Sequence, residues 1–190
     1  MSKAPVPCGR GRHNFGKSED GKPILAELNG PMTVLESCLK PAFKLWKKNP
    51  PLMRRVLDSI GGELLEKISQ LKGEGAKIIS YADPVGTEAI LGPKFSAALA
   101  EDFLLPFLRQ AEPLLDESVI MHLCPQTTHL LTTLGCATWR SFNLGRPMTY
   151  GEACLACREK LKFIGQICLN NNLTLLEDGI IQELVLNETE

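Results

Sequence analysis

The sequence predicts an α/β fold of about five parallel strands alternating with helices, arranged as part of a β/α barrel. Three observations predict it. Short apolar runs rich in Ile and Val, such as Ala76-Lys-Ile-Ile-Ser-Tyr-Ala-Asp83 and Ser118-Val-Ile-Met-His-Leu-Cys-Pro-Gln126, have the length and content of strands buried on both faces. Between such runs lie segments whose apolar residues recur at helical spacing. Strands that alternate with helices build a parallel sheet with right-handed crossovers. The spacing of roughly 25 to 40 residues per unit fits a β/α barrel, of which five units form only a part.

Taken in order, residues 1–22 are rich in Gly, Pro and charge and read as a flexible lead-in. His13 lies in it as a loop histidine. The domain spans residues 23–190. Pro23-Ile-Leu-Ala-Glu-Leu-Asn-Gly-Pro31 reads as a strand stopped by Gly-Pro. A helix from Thr33 to Trp46 is expected, with Leu35, Leu39, Phe43 and Trp46 on one face and a capping-box spacing at Thr33 and Glu36. Asn49 caps a second helix opened by Pro50 and Pro51, which runs to about Lys72 and ends at Gly73-Glu-Gly75. Ala76–Asp83 is the next strand. Gly92-Pro93 starts a helix that Pro106 should kink. The run at His122 is the third of the five predicted strands. A short helix from about Thr127 to Leu134 leads to a weaker strand, Gly135–Phe142. Thr149 opens a helix through Lys160, Lys162–Cys168 is the last strand, and two short helices close the chain, about Asn171–Leu176 and Gly179–Leu186.

Charge is balanced, 21 basic against 22 acidic residues, so no basic stripe points to nucleic acid. No apolar run is long enough to suggest a membrane span, and the first residues contain no apolar signal core. Seven cysteines, an odd number in a chain able to build a sizeable core, argue for reduced thiols and a cytoplasmic location.

His122 and Cys124 are two apart on a predicted strand, so imidazole and thiol leave its C-terminal end on one face. In parallel α/β folds that end carries the chemistry. The pair suits zinc, and equally reads as a core histidine beside a buried cysteine. Asp83 ends a strand on the same predicted mouth. It either orients a ligand or caps the turn at Thr87, and Tyr81 lines the same cavity. Cys154-Leu-Ala-Cys157 falls on one face of a helix and reads as core. His129 reads as a helix-surface position and Glu88 as solvated. No Gly-x-Gly-x-x-Gly or phosphate loop follows any strand, which leaves dinucleotide and nucleotide-kinase chemistry without support.

Pro23-Ile-Leu-Ala-Glu-Leu-Asn-Gly-Pro-Met-Thr33, Lys47-Lys-Asn-Pro50, Gly75-Ala-Lys-Ile-Ile-Ser-Tyr-Ala-Asp-Pro84, Leu91-Gly-Pro-Lys-Phe95 and Leu105-Pro-Phe107 together resemble the uroporphyrinogen decarboxylase superfamily, from about residue 22 to 187. His122-Leu-Cys124 resembles the His-x-Cys zinc motif of its branch of corrinoid-dependent methyltransferases, such as the methylcobamide:coenzyme M enzymes. The resemblance implies a partial TIM-type barrel. It implies zinc on His122 and Cys124; Cys168, at the end of its predicted strand, is the candidate substitute for the third ligand. Asp83 and Tyr81, placed at the predicted mouth by their strand end, are the catalytic candidates, and the resemblance implies methyl transfer from a methylated corrinoid to a thiol. A corrinoid protein is the implied partner, with a second copy or another chain completing the barrel. In the family the third zinc thiolate lies on a later strand, and the Gly after the motif Cys is Pro125 here. Two alternatives stand beside this reading: a decarboxylase-like tetrapyrrole enzyme or binding module, and a non-catalytic subunit completing another barrel.

Overall fold

Four short apolar segments pair side by side because each can bury both faces only between covering layers. The computed structural model describes residues 24–188, so the expectations on residues 1–22 lie outside it. In order across the sheet, β1 (Leu25–Asn29), β2 (Ile78–Ala82), β3 (Ile120–Leu123) and β6 (Phe163–Ile164) run parallel. The sheet then continues antiparallel. β8 (Ile180–Leu186) joins β6, and β4 (Ala137–Asn143) joins β8 at the edge. The result is an open, six-stranded, mostly parallel sheet. A separate two-stranded ribbon pairs β5 (Met148–Thr149) with β7 (Leu175–Leu176).

The first crossover shows how the sequence sets the helices. Asn49 accepts the Leu52 N–H at 3.2 Å and opens α3 (Pro50–Gly73), whose Met53, Leu57, Leu64, Ile68 and Leu71 are buried as their spacing predicts. The single helix expected over 33–46 is instead two, α1 (Pro31–Val34) and α2 (Leu39–Lys48). The break follows from Asp83, which holds the first N–H groups of α1, and from Pro41, which fits the first turn of α2. After β2, α4 (Glu88–Leu99) turns at Gly92, where φ is 73°, then passes through one π turn (Ala100–Leu104) into α5 (Leu105–Ala111). The irregular turn precedes Pro106, whose missing N–H interrupts the helical ladder. α6 (Pro125–Thr133) follows β3, and α7 (Tyr150–Ala156) opens on a complete Thr149–Glu152 capping box.

The chain's end departs from expectation. The strand expected over 162–168 is only Phe163–Ile164, and the two closing helices are replaced by β7 and β8. A seven-residue helix is marginal alone. As a strand, β8 gains a seven-residue register with β4 and buries Ile181 and Leu184. That pairing also turns the expected fifth parallel strand, Gly135–Phe142, into the antiparallel edge. Two core layers result. Ile79, Tyr81, Met121, Leu123 and Phe163 pack with α3 to α5 on one face. Ile78, Ile120, Ile164 and Ile181 pack with α7 on the other. No helix among the described residues is long and apolar enough to cross a membrane.

Candidate rim site at the ends of the parallel strands

Register decides which residues can meet. Ser80 lies beside His122, and Tyr81 beside Leu123. Neighbours in register share a face, and successive residues alternate. Tyr81 and His122 therefore project to opposite faces of the sheet. The expectation that Asp83, Tyr81, His122 and Cys124 open onto one cavity does not hold: a slip of one residue in register reverses the face.

On the helical face, Tyr81 is buried and packs against Phe107, ring centroids 5.7 Å apart. Burial, with the nearby Asp83 carboxylate, holds its phenol well above the ordinary value. Asp83 is buried too. It accepts from the Met32 N–H at 3.1 Å, the Thr33 N–H at 2.7 Å and the Thr33 hydroxyl at 2.6 Å. It thus caps α1 across space, fifty residues away in sequence, rather than the turn at Thr87. Burial raises its carboxyl above the usual range, while these donors pull it down. Gly30 and Gly86 make room for it, since a Cβ on either would lie 2.5 Å from Asp83 atoms. The cavity that Tyr81 and Asp83 share with Gln126 and Thr127 is about 20 Å³, space for roughly one water.

On the other face, His122 is 2 % exposed and its Nε2 lies 2.9 Å from the Ile167 carbonyl oxygen. A carbonyl only accepts, so Nε2 carries the proton and Nδ1 is the basic nitrogen. Tyr150 stands edge-on to the imidazole, centroids 6.0 Å apart. Cys124 is buried between β3 and α6. Its N–H donates to the Tyr81 carbonyl, and its own carbonyl accepts the Thr127 and Thr128 N–H groups of α6. Cys168 is half-buried, directly after Ile167. Gly165 brings this loop close: a Cβ there would lie 2.1 Å from the Leu123 carbonyl oxygen. Thr128 fixes the same junction, its hydroxyl 3.2 Å from the Gly165 carbonyl.

Of the three residues expected as metal ligands, His122 lies on β3, Cys124 directly after it, and Cys168 on the loop beyond β6 rather than at a strand end. Among the described residues, however, no three His, Cys, Asp or Glu side chains come together as a metal-holding group. The donor types fit zinc, and the arrangement does not supply a three-ligand site. Cys154 and Cys157 lie in the core as expected, with burial pushing the Cys157 thiol up to about 12. His129 and Glu88 are exposed. The residues missed by sequence reasoning are Thr33, Thr128 and Tyr150. Only Thr33, next to Gly30-Pro31, carried a local signal.

No protein-family model, no curated protein and no solved structure matches the chain.

Proposed function

We propose that this chain is a methyltransferase-branch relative of the uroporphyrinogen decarboxylase superfamily, whose rim at β3 and β6 serves methyl transfer from a corrinoid to a thiol. The observation that carries the reading is the orientation of His122. Its Nε2–H is held by the carbonyl of the residue before Cys168, and Cys124 lies two residues beyond it. A metal-binding histidine is characteristically oriented by such a carbonyl on its other nitrogen. Zinc, where bound, lowers the pKa of an acceptor thiol and keeps it as thiolate. Among the described residues no three-ligand group is assembled, so zinc would be held by His122 and Cys124 alone and weakly. What the chain itself contributes is a fixed imidazole tautomer, a thiol two residues away and a second thiol on the adjoining loop. The test is thiol methylation from methylcobalamin, with and without added zinc. Zinc-dependent turnover lost in His122→Ala supports the reading. Turnover equal in wild type and His122→Ala removes it.

A specific observation favours a second reading, a non-catalytic module that completes another chain's sheet. Asp83 and Tyr81 are committed to packing and capping, and the cavity beside them is water-sized. Among the described residues β1 pairs only with β2, which leaves one edge open to a further strand. Sedimentation of the purified chain separates the two readings. A homo-oligomer or a stable complex with a second chain, without turnover, supports the module. An active monomer refutes it.

A further inference from the structure

We propose that the small cavity between Asp83 and the start of α6 binds a dehydrated monovalent cation of potassium or ammonium size. The site is separate from the His122 imidazole, which projects to the other face of the sheet, and it does not depend on the methyl-transfer reading.

Asp83 supplies the charge. It is 7 % exposed, and its donors, the Met32 and Thr33 N–H groups and the Thr33 hydroxyl, are all neutral. None of the ion pairs among the described residues includes it. Buried charges are ordinarily paired or bound to a metal ion. A single carboxylate balances one positive charge, so its complement is monovalent.

Tyr81 supplies the observation that points to an occupant. It is 2 % exposed, and its hydroxyl makes no hydrogen bond among the described residues, although the Asp83 carboxylate is close enough to raise its phenol. A buried tyrosine hydroxyl usually finds a partner. A Cβ on Gly30 would lie 2.5 Å from both that hydroxyl and Asp83, so the two groups flank one small space. A water there would satisfy the hydroxyl and leave the buried charge unbalanced. A cation answers both.

The cavity sets the size. It measures about 20 Å³, room for one body of about 1.4 Å radius. Potassium and ammonium are close to that size. Gln126 and Thr127 add an amide and a hydroxyl oxygen to the lining, and Leu99, Leu104 and Leu130 close it with apolar groups. Oxygen donors suit a hard cation. The start of α6 does not oppose the charge. Pro125 has no N–H, and the Thr127 and Thr128 N–H groups already donate to the Cys124 carbonyl.

The test is the thermal midpoint of the full chain in potassium, ammonium, sodium and choline chlorides at one ionic strength. Potassium or ammonium should raise the midpoint above that in choline, and the rise should follow a one-site curve. At ten times the dissociation constant the folding equilibrium gains about elevenfold, a rise of about 3–5 °C for a chain of this length. The potassium and ammonium arms tell the two cations apart. Asp83→Asn should remove the dependence on cation identity, and Tyr81→Phe should weaken the apparent affinity about fivefold. Where Asp83→Asn does not fold, Thr127→Val takes its place, with the same expected weakening. Equal midpoints in all four salts would show a water site only and overturn the proposal. So would a rise with sodium alone, or a potassium effect that the substitutions leave unchanged.

Discussion

Replacing Asp83 by Ala should destabilise the fold by about 3 kcal/mol. The carboxylate satisfies two backbone N–H groups, those of Met32 and Thr33, in a part of the structure where Met32 is 0 % exposed. Each buried donor left without a partner costs about 1–3 kcal/mol, while the Thr33 hydroxyl can turn toward water. A loss of that size is large beside a total stability of about 5–15 kcal/mol. Urea unfolding should show the midpoint lowered by about 1–2 M with the slope unchanged. The pH dependence has a definite sign. Burial raises the Asp83 carboxyl above 3.8 in the fold, so the folded state binds that proton more readily than the unfolded chain. The stabilisation from this titration is fully present below the unfolded value, about 3.9. It is lost as pH rises through the folded value. The deficit of Asp83→Ala should therefore be larger in mild acid than at neutral pH. A deficit under about 1 kcal/mol would refute the capping role, and one that grows toward neutral pH would show that the hydrogen bonds outweigh burial.

Two further outcomes follow from the geometry. Gly30→Ala should cost about 1–3 kcal/mol by overpacking, since its Cβ would fall 2.5 Å from both Asp83 and the Tyr81 hydroxyl; thermal unfolding checks it. Cys38 is exposed and should react at once with a thiol reagent at mildly alkaline pH, whereas Cys154 and Cys157, buried with raised thiols, should react only on unfolding; peptide mapping of timed labelling would show the order.

How far the fold was legible follows from what each segment depends on. The apolar runs at Ile78 and Ile120 declare buried strands by content alone, and Asn49-Pro-Pro and Thr149–Glu152 declare helix starts by local capping chemistry. The closing segment Ile180–Leu186 carries no local choice strong enough: its strand state comes from pairing with Ala137–Asn143, more than thirty residues upstream. Tertiary pairing overrides propensity in such a segment. The site was legible to the same limit. The strand ends could be placed, and with them His122, Cys124 and Asp83. Which face Tyr81 takes depends on register, and the use of Asp83 depends on Met32 and Thr33 arriving from another element. Neither is written in the local sequence.

The proposed function stands or falls with metal binding at His122 and Cys124. Zinc titration of the purified, reduced chain against a competing chromophoric chelator, for wild type, His122→Ala and Cys124→Ser, tests it most directly. The expected result is one weakly held, exchangeable zinc per chain that both substitutions abolish, with the fold intact in each. No zinc in the wild type, or the same zinc in all three proteins, would contradict it.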